Sequence, residues 1–180
     1  MIMGATGSAG RLAVQIARRL GASHVAAAGR DAVRLATLPA LGADTLIDLG
    51  SATVDADLAA IGRDVDVVLD YLWGPWAARA LRAIVPTRAD DSQALTWVQI
   101  GSMTGLESPI PSAALRACNL RIVGSGQGSV SPRDILAELP ALSREIMRGD
   151  YAVDAQVVAL DDVTTAWAER STARQVVVPD

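Results

Sequence analysis

A glycine-rich turn at the start of the chain is the feature that most constrains its fold. Gly4, Gly7 and Gly10 give the spacing G-x-x-G-x-x-G between a short apolar strand, Met1–Met3, and a segment of helical period, Ser8–Leu20. Without side chains, an anion can approach the backbone, and a helix N-terminus offers free amides and a positive dipole end. The turn therefore predicts a dinucleotide diphosphate site, with an ordinary strand-to-helix turn as the alternative.

Short apolar strands alternate with helical segments along the rest of the chain. The predicted strands are Met1–Met3, His24–Ala28, Thr45–Leu49, Asp64–Tyr71, Leu95–Gly101, Leu120–Gly126, Asp154–Leu160 and Arg174–Val178. The predicted helices are Ser8–Leu20, Asp31–Leu41, Val54–Ile61, Trp73–Ile84, Ser112–Asn119, Ser131–Arg148 and Asp161–Arg170, and residues 86–93 are a polar loop. This alternation predicts an α/β fold: a Rossmann-like doubly wound parallel sheet of about six strands with helices on both faces, followed by a strand-helix-strand segment.

Leu12, Ile16 and Leu20 recur at every fourth position of the first helix, with Arg11, Arg18 and Arg19 off that stripe, which is typical of an amphipathic helix.

Composition excludes several classes of function. All 16 basic residues are arginine, so a Tyr-x-x-x-Lys mechanism and a P-loop lysine are both excluded. Cys118 and His24 are the single cysteine and histidine, which predicts no intrachain disulfide and no metal site. We expect packing for Cys118, a surface role for His24, and a reduced, cytoplasmic setting. The interspersed charges and the net charge of −4 argue against nucleic acid and membrane partners, and no apolar stretch reaches the length of a membrane span.

The end of the second predicted strand bears on cofactor choice. An NAD site usually carries an acid there for the ribose 2′-hydroxyl, whereas this chain has Gly29 followed by Arg30. A guanidinium pairs well with a 2′-phosphate, so we predict NADP rather than NAD. Two alternatives remain: Asp31 as the ribose acid in a shifted register, and Arg30 as a solvated surface charge.

Five segments in order, "GATGSAGRLAVQIARRLGA", "LGADTLIDL", "DVVLDYLWG", "WVQIGSMTG" and "LRIVGSG", carry a family resemblance. The chain resembles the cofactor-binding half of the medium-chain dehydrogenase/reductases, especially the zinc-independent quinone oxidoreductase-like branch. The resemblance implies NAD(P)H binding by residues 1–150 and a closing segment, residues 151–180, that packs on a separate substrate domain. In that family such a domain precedes the turn, so we expect a fragment, a truncated version or a naturally shortened protein.

The resemblance also implies which residues hold the cofactor. They are Gly4, Gly7, Ser8, Ala9 and Gly10 at the diphosphate, Gly29 and Arg30 at the adenosine end, Tyr71 and Leu72 near the ribose, Gly101, Ser102 and Met103 near the nicotinamide, and Ser125 as a weaker candidate. Thr6 adds a small hydroxyl donor to the turn. No catalytic residue is identified. Asp48 and Asp70 are expected to orient loops, and Trp73 and Trp76 to be core or interface aromatics.

These observations predict an NADP(H)-dependent oxidoreductase, represented by its cofactor-binding domain, that reduces a quinone, an enone or another small carbonyl compound. The alternatives are a non-catalytic dinucleotide-binding module or redox sensor, and a non-catalytic member of the short-chain dehydrogenases. We also expect a homodimer through the apolar edge strand Leu120–Gly126.

Overall fold

The computed structural model describes residues 1–149, 151–169, 171 and 173–179. The strands are β1 (Ile2–Met3), β2 (Ala26–Gly29), β3 (Thr45–Asp48), β4 (Val67–Asp70), β5 (Leu95–Gln99), β6 (Leu120–Gly124), β7 (Ala155–Ala159) and β8 (Arg174–Val178). The helices are α1 (Ser8–Arg19), α2 (Ala32–Leu35), α3 (Val54–Gly62), α4 (Gly74–Ile84), α5 (Ala114–Ala117), α6 (Pro132–Met147) and α7 (Val163–Ala168), and 3₁₀ turns cover Leu38–Leu41, Val85–Thr87 and Leu160–Asp162.

Six parallel strands form the main sheet in the order β3-β2-β1-β4-β5-β6. The order reverses at β1, where Ile2 lies opposite Ala27 of β2 and Leu69 of β4. In such sheets, ligands bind beyond the carboxyl ends of the strands at the point of reversal. The predicted doubly wound sheet is therefore confirmed, and so is the C-terminal strand-helix-strand segment, whose β7 and β8 pair in parallel.

Each face of the main sheet carries its own hydrophobic core. Ile2 packs with Val14 and Leu38 on the side of α1, whereas Met3 packs with Leu81 and Trp97 on the side of α4. Successive residues of β1 thus enter opposite cores, as expected for a central strand that is covered on both faces.

The buried face of α1 is not its stripe of leucine and isoleucine side chains. Leu12 is half-buried, Ile16 is 38% exposed and Leu20 is 81% exposed, whereas Gly10, Ala13 and Val14 are buried against the sheet. Small side chains on that face let the helix axis approach β1 closely. The face of α1 that packs on the sheet is therefore the one that carries these small residues, not the leucine and isoleucine stripe.

The predicted helix Asp31–Leu41 is in fact two pieces, α2 and the 3₁₀ turn Leu38–Leu41. Pro39 explains the break because it has no amide hydrogen to donate to the carbonyl four residues before it. The polar loop predicted at residues 86–93 begins within the 3₁₀ turn Val85–Thr87, and its Arg88 is buried and donates to carbonyls of Gly62, Val65 and Gln93.

Two boundaries in the sequence reading, the domain limit at Asp150 and the helix end at Arg170, lie outside the described residues. The division of the chain at residue 150 stays a prediction.

Candidate functional site

The glycine turn joins the carboxyl end of β1 to the N-terminus of α1. The amides of Gly4 and Ala5 both donate to the Ala28 carbonyl of β2, at 2.9 Å each, which anchors the turn to the sheet. Gly4 has a φ of 85°, a conformation that L side chains rarely adopt. Gly7 is the N-cap residue and provides no side-chain cap.

The start of α1 is chemically suited to an anion. The first amides of a helix have no intrahelical partner, and here they belong to Ser8, Ala9 and Gly10. The first turn of α1 contains no acidic residue to compete for them, and its last turn carries Arg18 and Arg19. The N-terminal end of the helix therefore keeps its positive dipole and its free donors on the side of the switch point.

Thr6 and Gly29 lie side by side across the turn. A Cβ atom at Gly29 would come within 2.4 Å of Thr6 Cγ2, so a larger residue at the end of β2 would require the Thr6 side chain to move. Arg30 follows and is exposed at the carboxyl end of β2. Asp31, the alternative ribose ligand, caps α2 by accepting from the amide of Arg34 at 3.0 Å.

Arg34 is a second guanidinium at this end of the site, and it was missed by the sequence reading. Its Nη1 atom donates to the Thr6 carbonyl at 3.2 Å, and its Nη2 atom lies 3.3 Å from the Asp154 carboxylate. The sequence does show an arginine in the first turn of the helix that Asp31 caps. It does not show that this arginine contacts the glycine turn, because its partner Thr6 is distant in sequence.

The loop after β4, residues Tyr71–Trp73, forms the wall of the glycine turn on the side away from β2. Leu72 is buried, and a Cβ atom at Gly4 would lie 3.0 Å from Leu72 Cδ2 and 3.3 Å from Tyr71 Cβ. Burial of the half-buried Tyr71 raises the pKa of its phenol. Asp70, at the end of β4, is fully buried and accepts from the amides of Leu72 and Trp73 at 2.8 and 2.9 Å. Its predicted role in orienting a loop is confirmed.

Burial raises the pKa of the Asp70 carboxyl, while the hydrogen bonds from Trp73, Leu72 and Trp97 act in the opposite direction. Asp48 likewise orients a loop, because its carboxylate accepts from the amide of Gly50 at 2.8 Å.

The residues after β5 and β6 are more open. Gly101 is half-buried beneath the Tyr71 carbonyl, whereas Ser102 is exposed and Met103 is 81% exposed. Ser125 donates its amide to the Gln99 carbonyl at the end of β6. That strand is three steps from β1, or about 14 Å in the sheet plane at roughly 4.8 Å per strand.

Two cavities lie at opposite ends of the sheet. The larger, about 480 Å³, is lined by His24, Asp64, Asp66 and Met1 at the amino ends of the strands, away from the glycine turn. The smaller, about 340 Å³, lies between Ser8 of α1 and the α7–β8 segment. Of the predicted cofactor residues only Ser8 lines the smaller cavity, so the candidate site is defined by the glycine turn and the strand ends around it rather than by either cavity.

His24, Cys118 and the two tryptophans near α4 lie where the sequence analysis expects them. His24 lies at the surface with Nε2 2.9 Å from Thr45 Oγ1, and Cys118 packs at the rim of the core. Trp73 and Trp76 also pack against the core. Among the described residues, no three His, Cys, Asp or Glu side chains are grouped so as to hold a metal ion. In the same part of the chain, no helix has the length and hydropathy needed to cross a membrane.

Comparison with known proteins places the chain in a family. A family model described as "Zinc-binding dehydrogenase" matches residues 9–144. The chain is 30% identical over 192 residues to the probable NADPH-dependent quinone reductase tdiC of Emericella nidulans, with 99% of this chain and 53% of that protein covered.

Solved structures show the same fold. The quinone oxidoreductase of Pseudomonas syringae pv. tomato DC3000 superposes with a TM-score of 0.74 at 23% identity, over 99% of this chain and 55% of that one. CurA of Vibrio vulnificus, solved in complex with NADPH, superposes with a TM-score of 0.72 at 16% identity, over 99% of this chain and 56% of that one.

The chain therefore belongs to the zinc-binding dehydrogenase family. The resemblance to the cofactor-binding half of the medium-chain dehydrogenase/reductases, of the quinone oxidoreductase-like type, is confirmed. The chain spans about half the length of the relatives that it matches.

Proposed function

We propose that this chain binds NADP(H) at the glycine turn and is the cofactor-binding part of an oxidoreductase. The observation that carries the proposal is the uncapped N-terminus of α1, whose free amides lie at the switch point of a doubly wound sheet. The residues present fit a dinucleotide, since Gly7 leaves the helix start uncovered and Gly4 allows the positive φ of the turn.

The preference for NADP is supported by charge. Arg30 and Arg34 flank the end of β2, and Asp31 caps α2 by accepting from the Arg34 amide through Oδ1. Guanidinium groups pair with the dianionic 2′-phosphate, which NAD lacks. The described relatives include a probable NADPH-dependent enzyme and a structure solved with NADPH.

The proposed reaction is hydride transfer to a quinone or another small carbonyl compound. Bound NADPH would supply the hydride from its nicotinamide. The chain's own residues would bind the diphosphate at Ser8–Gly10 and border the nicotinamide half with Tyr71, Leu72 and the loop 101–103. We propose that this chain contributes no zinc ligand set, because its sequence has one histidine and one cysteine.

The experiment is calorimetric titration of the chain with NADPH and with NADH, followed by mixing with NADPH and a quinone. Tighter binding of NADPH supports the proposal, and binding of neither dinucleotide contradicts it. Steady loss of nicotinamide absorbance would show that the chain is active alone.

Binding without turnover would favour the second candidate, a dinucleotide-binding module. The coverage of about half of each relative's length favours this candidate for the isolated chain.

We further propose a homodimer through β6 and a cytoplasmic location. In the described residues β6 pairs with β5 on one side, and its Arg121 and Val123 are exposed. An unpaired edge strand is a ready surface for a second copy. The single cysteine is compatible with a reducing compartment. Light scattering tests the dimer, and a monomer at high concentration would contradict it.

A further inference from the structure

The loops after β4 and β5 are fastened together by main-chain hydrogen bonds. The amides of Ile100 and Gly101 donate to the Asp70 carbonyl at 2.8 and 3.1 Å. The amide of Met103 donates to the Tyr71 carbonyl at 3.3 Å, so the two loops run side by side. A Cβ atom at Gly101 would lie 2.7 Å from the Tyr71 carbonyl oxygen, which shows how close the approach is.

The buried Asp70 carboxylate holds the loop after β4 in place. Besides the amides of Leu72 and Trp73, it accepts from Nε1 of Trp97 at 2.9 Å, and both Asp70 and Trp97 are fully buried. Three N–H donors therefore depend on one carboxylate. Removing it would leave buried donors without partners, which is costly in a low-dielectric interior.

Trp73 is held in a strained conformation. Its φ of 54° and ψ of −153° make it the one non-glycine residue with positive φ in the described part of the chain. Such a conformation is unfavourable for an L residue and persists only where neighbouring groups enforce it. Asp70 holds the Trp73 amide, and Thr104 Oγ1 lies 2.8 Å from the Trp73 carbonyl oxygen and 3.1 Å from that of Leu72.

The strained loop is also the wall of the glycine turn. Leu72 lies between the two restraints and contacts the position where Gly4 would carry a side chain. The adenosine end of the site, with Gly29, Arg30 and Arg34, is on the other side of β1. The two halves of the site are thus built by different elements.

We propose that Asp70 and Thr104 are positioning residues, which hold the Tyr71–Trp73 wall for the nicotinamide half of the dinucleotide while the adenosine half binds independently. This inference rests on the proposed function. It extends that function by proposing that the strained backbone at Trp73 is maintained in order to position the nicotinamide half of the ligand.

The test compares two ligands on four variants. NADPH fills both halves of the site, whereas adenosine 2′,5′-bisphosphate fills the adenosine half alone. Thr104→Val removes the hydroxyl at nearly constant shape, and Thr104→Ser restores it. We expect Thr104→Val to weaken NADPH binding about tenfold, the equivalent of one lost hydrogen bond, and to leave the bisphosphate affinity unchanged. Thr104→Ser should recover the NADPH affinity.

Thr87→Val is the matched control. The Thr87 hydroxyl lies within hydrogen-bonding distance of the carbonyls of Ala59, Ala83 and Ile84, away from the glycine turn. Its loss should lower stability without changing the affinity for either ligand.

Asp70→Asn is the second positioning variant and should show the same selective loss of NADPH affinity. If the Thr104 variant does not fold, Asp70→Asn decides the question.

Each outcome has a distinct meaning. Equal weakening of both ligands by the positioning variants, or no weakening of NADPH, would overturn the inference while leaving the proposed function intact. If the unaltered chain binds neither ligand, the proposed function fails and the inference fails with it.

Discussion

Gly10 lies directly against Gly4. A Cβ atom at Gly10 would come within 2.3 Å of the Gly4 carbonyl oxygen and 2.7 Å of Ala5 Cα. Because both neighbours are backbone atoms, they cannot move aside as a flexible side chain would. The third glycine of the turn therefore fixes the distance between α1 and β1, and with it the placement of the free amides at the start of the helix.

Gly10→Ala should destabilise the fold and weaken NADPH binding together. The added methyl group overpacks the contact with Gly4, for which about 1–3 kcal/mol is expected. Urea denaturation and calorimetry measure the two effects. Gly128→Ala is the control, since no atom lies within 4 Å of a Cβ at that position. Unchanged stability in Gly10→Ala would show that α1 is not held as closely as described.

Arg30→Ala and Arg34→Ala should each lower the affinity for NADPH selectively. A charge-assisted hydrogen bond contributes about 1.5–3 kcal/mol, so the expected loss is roughly tenfold to a hundredfold, while NADH affinity changes little. Arg79→Ala, which removes an exposed guanidinium paired with Asp55, is the control. Equal losses for NADPH and NADH would contradict a role in binding the 2′-phosphate.

For the 180-residue chain prepared with a free α-amine at Met1, stability should rise between pH 6 and pH 8 because of that amine. This amine donates to the Val67 carbonyl at 2.7 Å, and burial lowers its pKa from 8.0 to about 6. Between those values the unfolded chain binds a proton that the folded chain does not, so unfolding becomes harder as pH rises. The gain is about 2–3 kcal/mol, complete above pH 8 and lost as the pH falls through 6. Urea denaturation across this range measures it.

The control for this effect is the chain with an acetylated α-amine. Acetylation removes the titration and keeps an N–H donor, so the rise attributed to Met1 should disappear. An identical pH profile for the acetylated chain would assign the rise to other groups.

Arg88→Met should lower the free energy of unfolding without changing the affinity for the dinucleotide. The guanidinium donates to carbonyls of Gly62, Val65 and Gln93 in a buried setting, and methionine keeps the apolar stem while removing these donors. A loss of about 2–4 kcal/mol is expected from unsatisfied buried groups. Thermal and urea melts measure it, with exposed Arg63→Met as the control. A loss no larger than that of Arg63→Met would refute the anchoring role.

The sheet and the glycine turn were predictable because they depend on local patterns. Alternating apolar runs predict strands and helices, and the spacing of Gly4, Gly7 and Gly10 predicts a turn that lacks side chains. The buried face of α1 was not predictable from apolar periodicity, because close packing selected Gly10 and Ala13 over Leu12.

Other parts of the site depend on contacts between residues distant in sequence. Arg34 reaches Thr6 across 28 positions, and Trp97 reaches Asp70 across 27. A single sequence gives no signal for such pairings. The assignment of particular residues to the cofactor stays a prediction.

The most direct test of the account follows the backbone amides of the chain by nuclear magnetic resonance during titration with NADPH. We expect the amide resonances of Ser8, Ala9 and Gly10 to shift and to saturate at one equivalent. The account would be contradicted if these three resonances did not shift at saturating NADPH, or if the resonances that shift belonged to the amino ends of the strands instead.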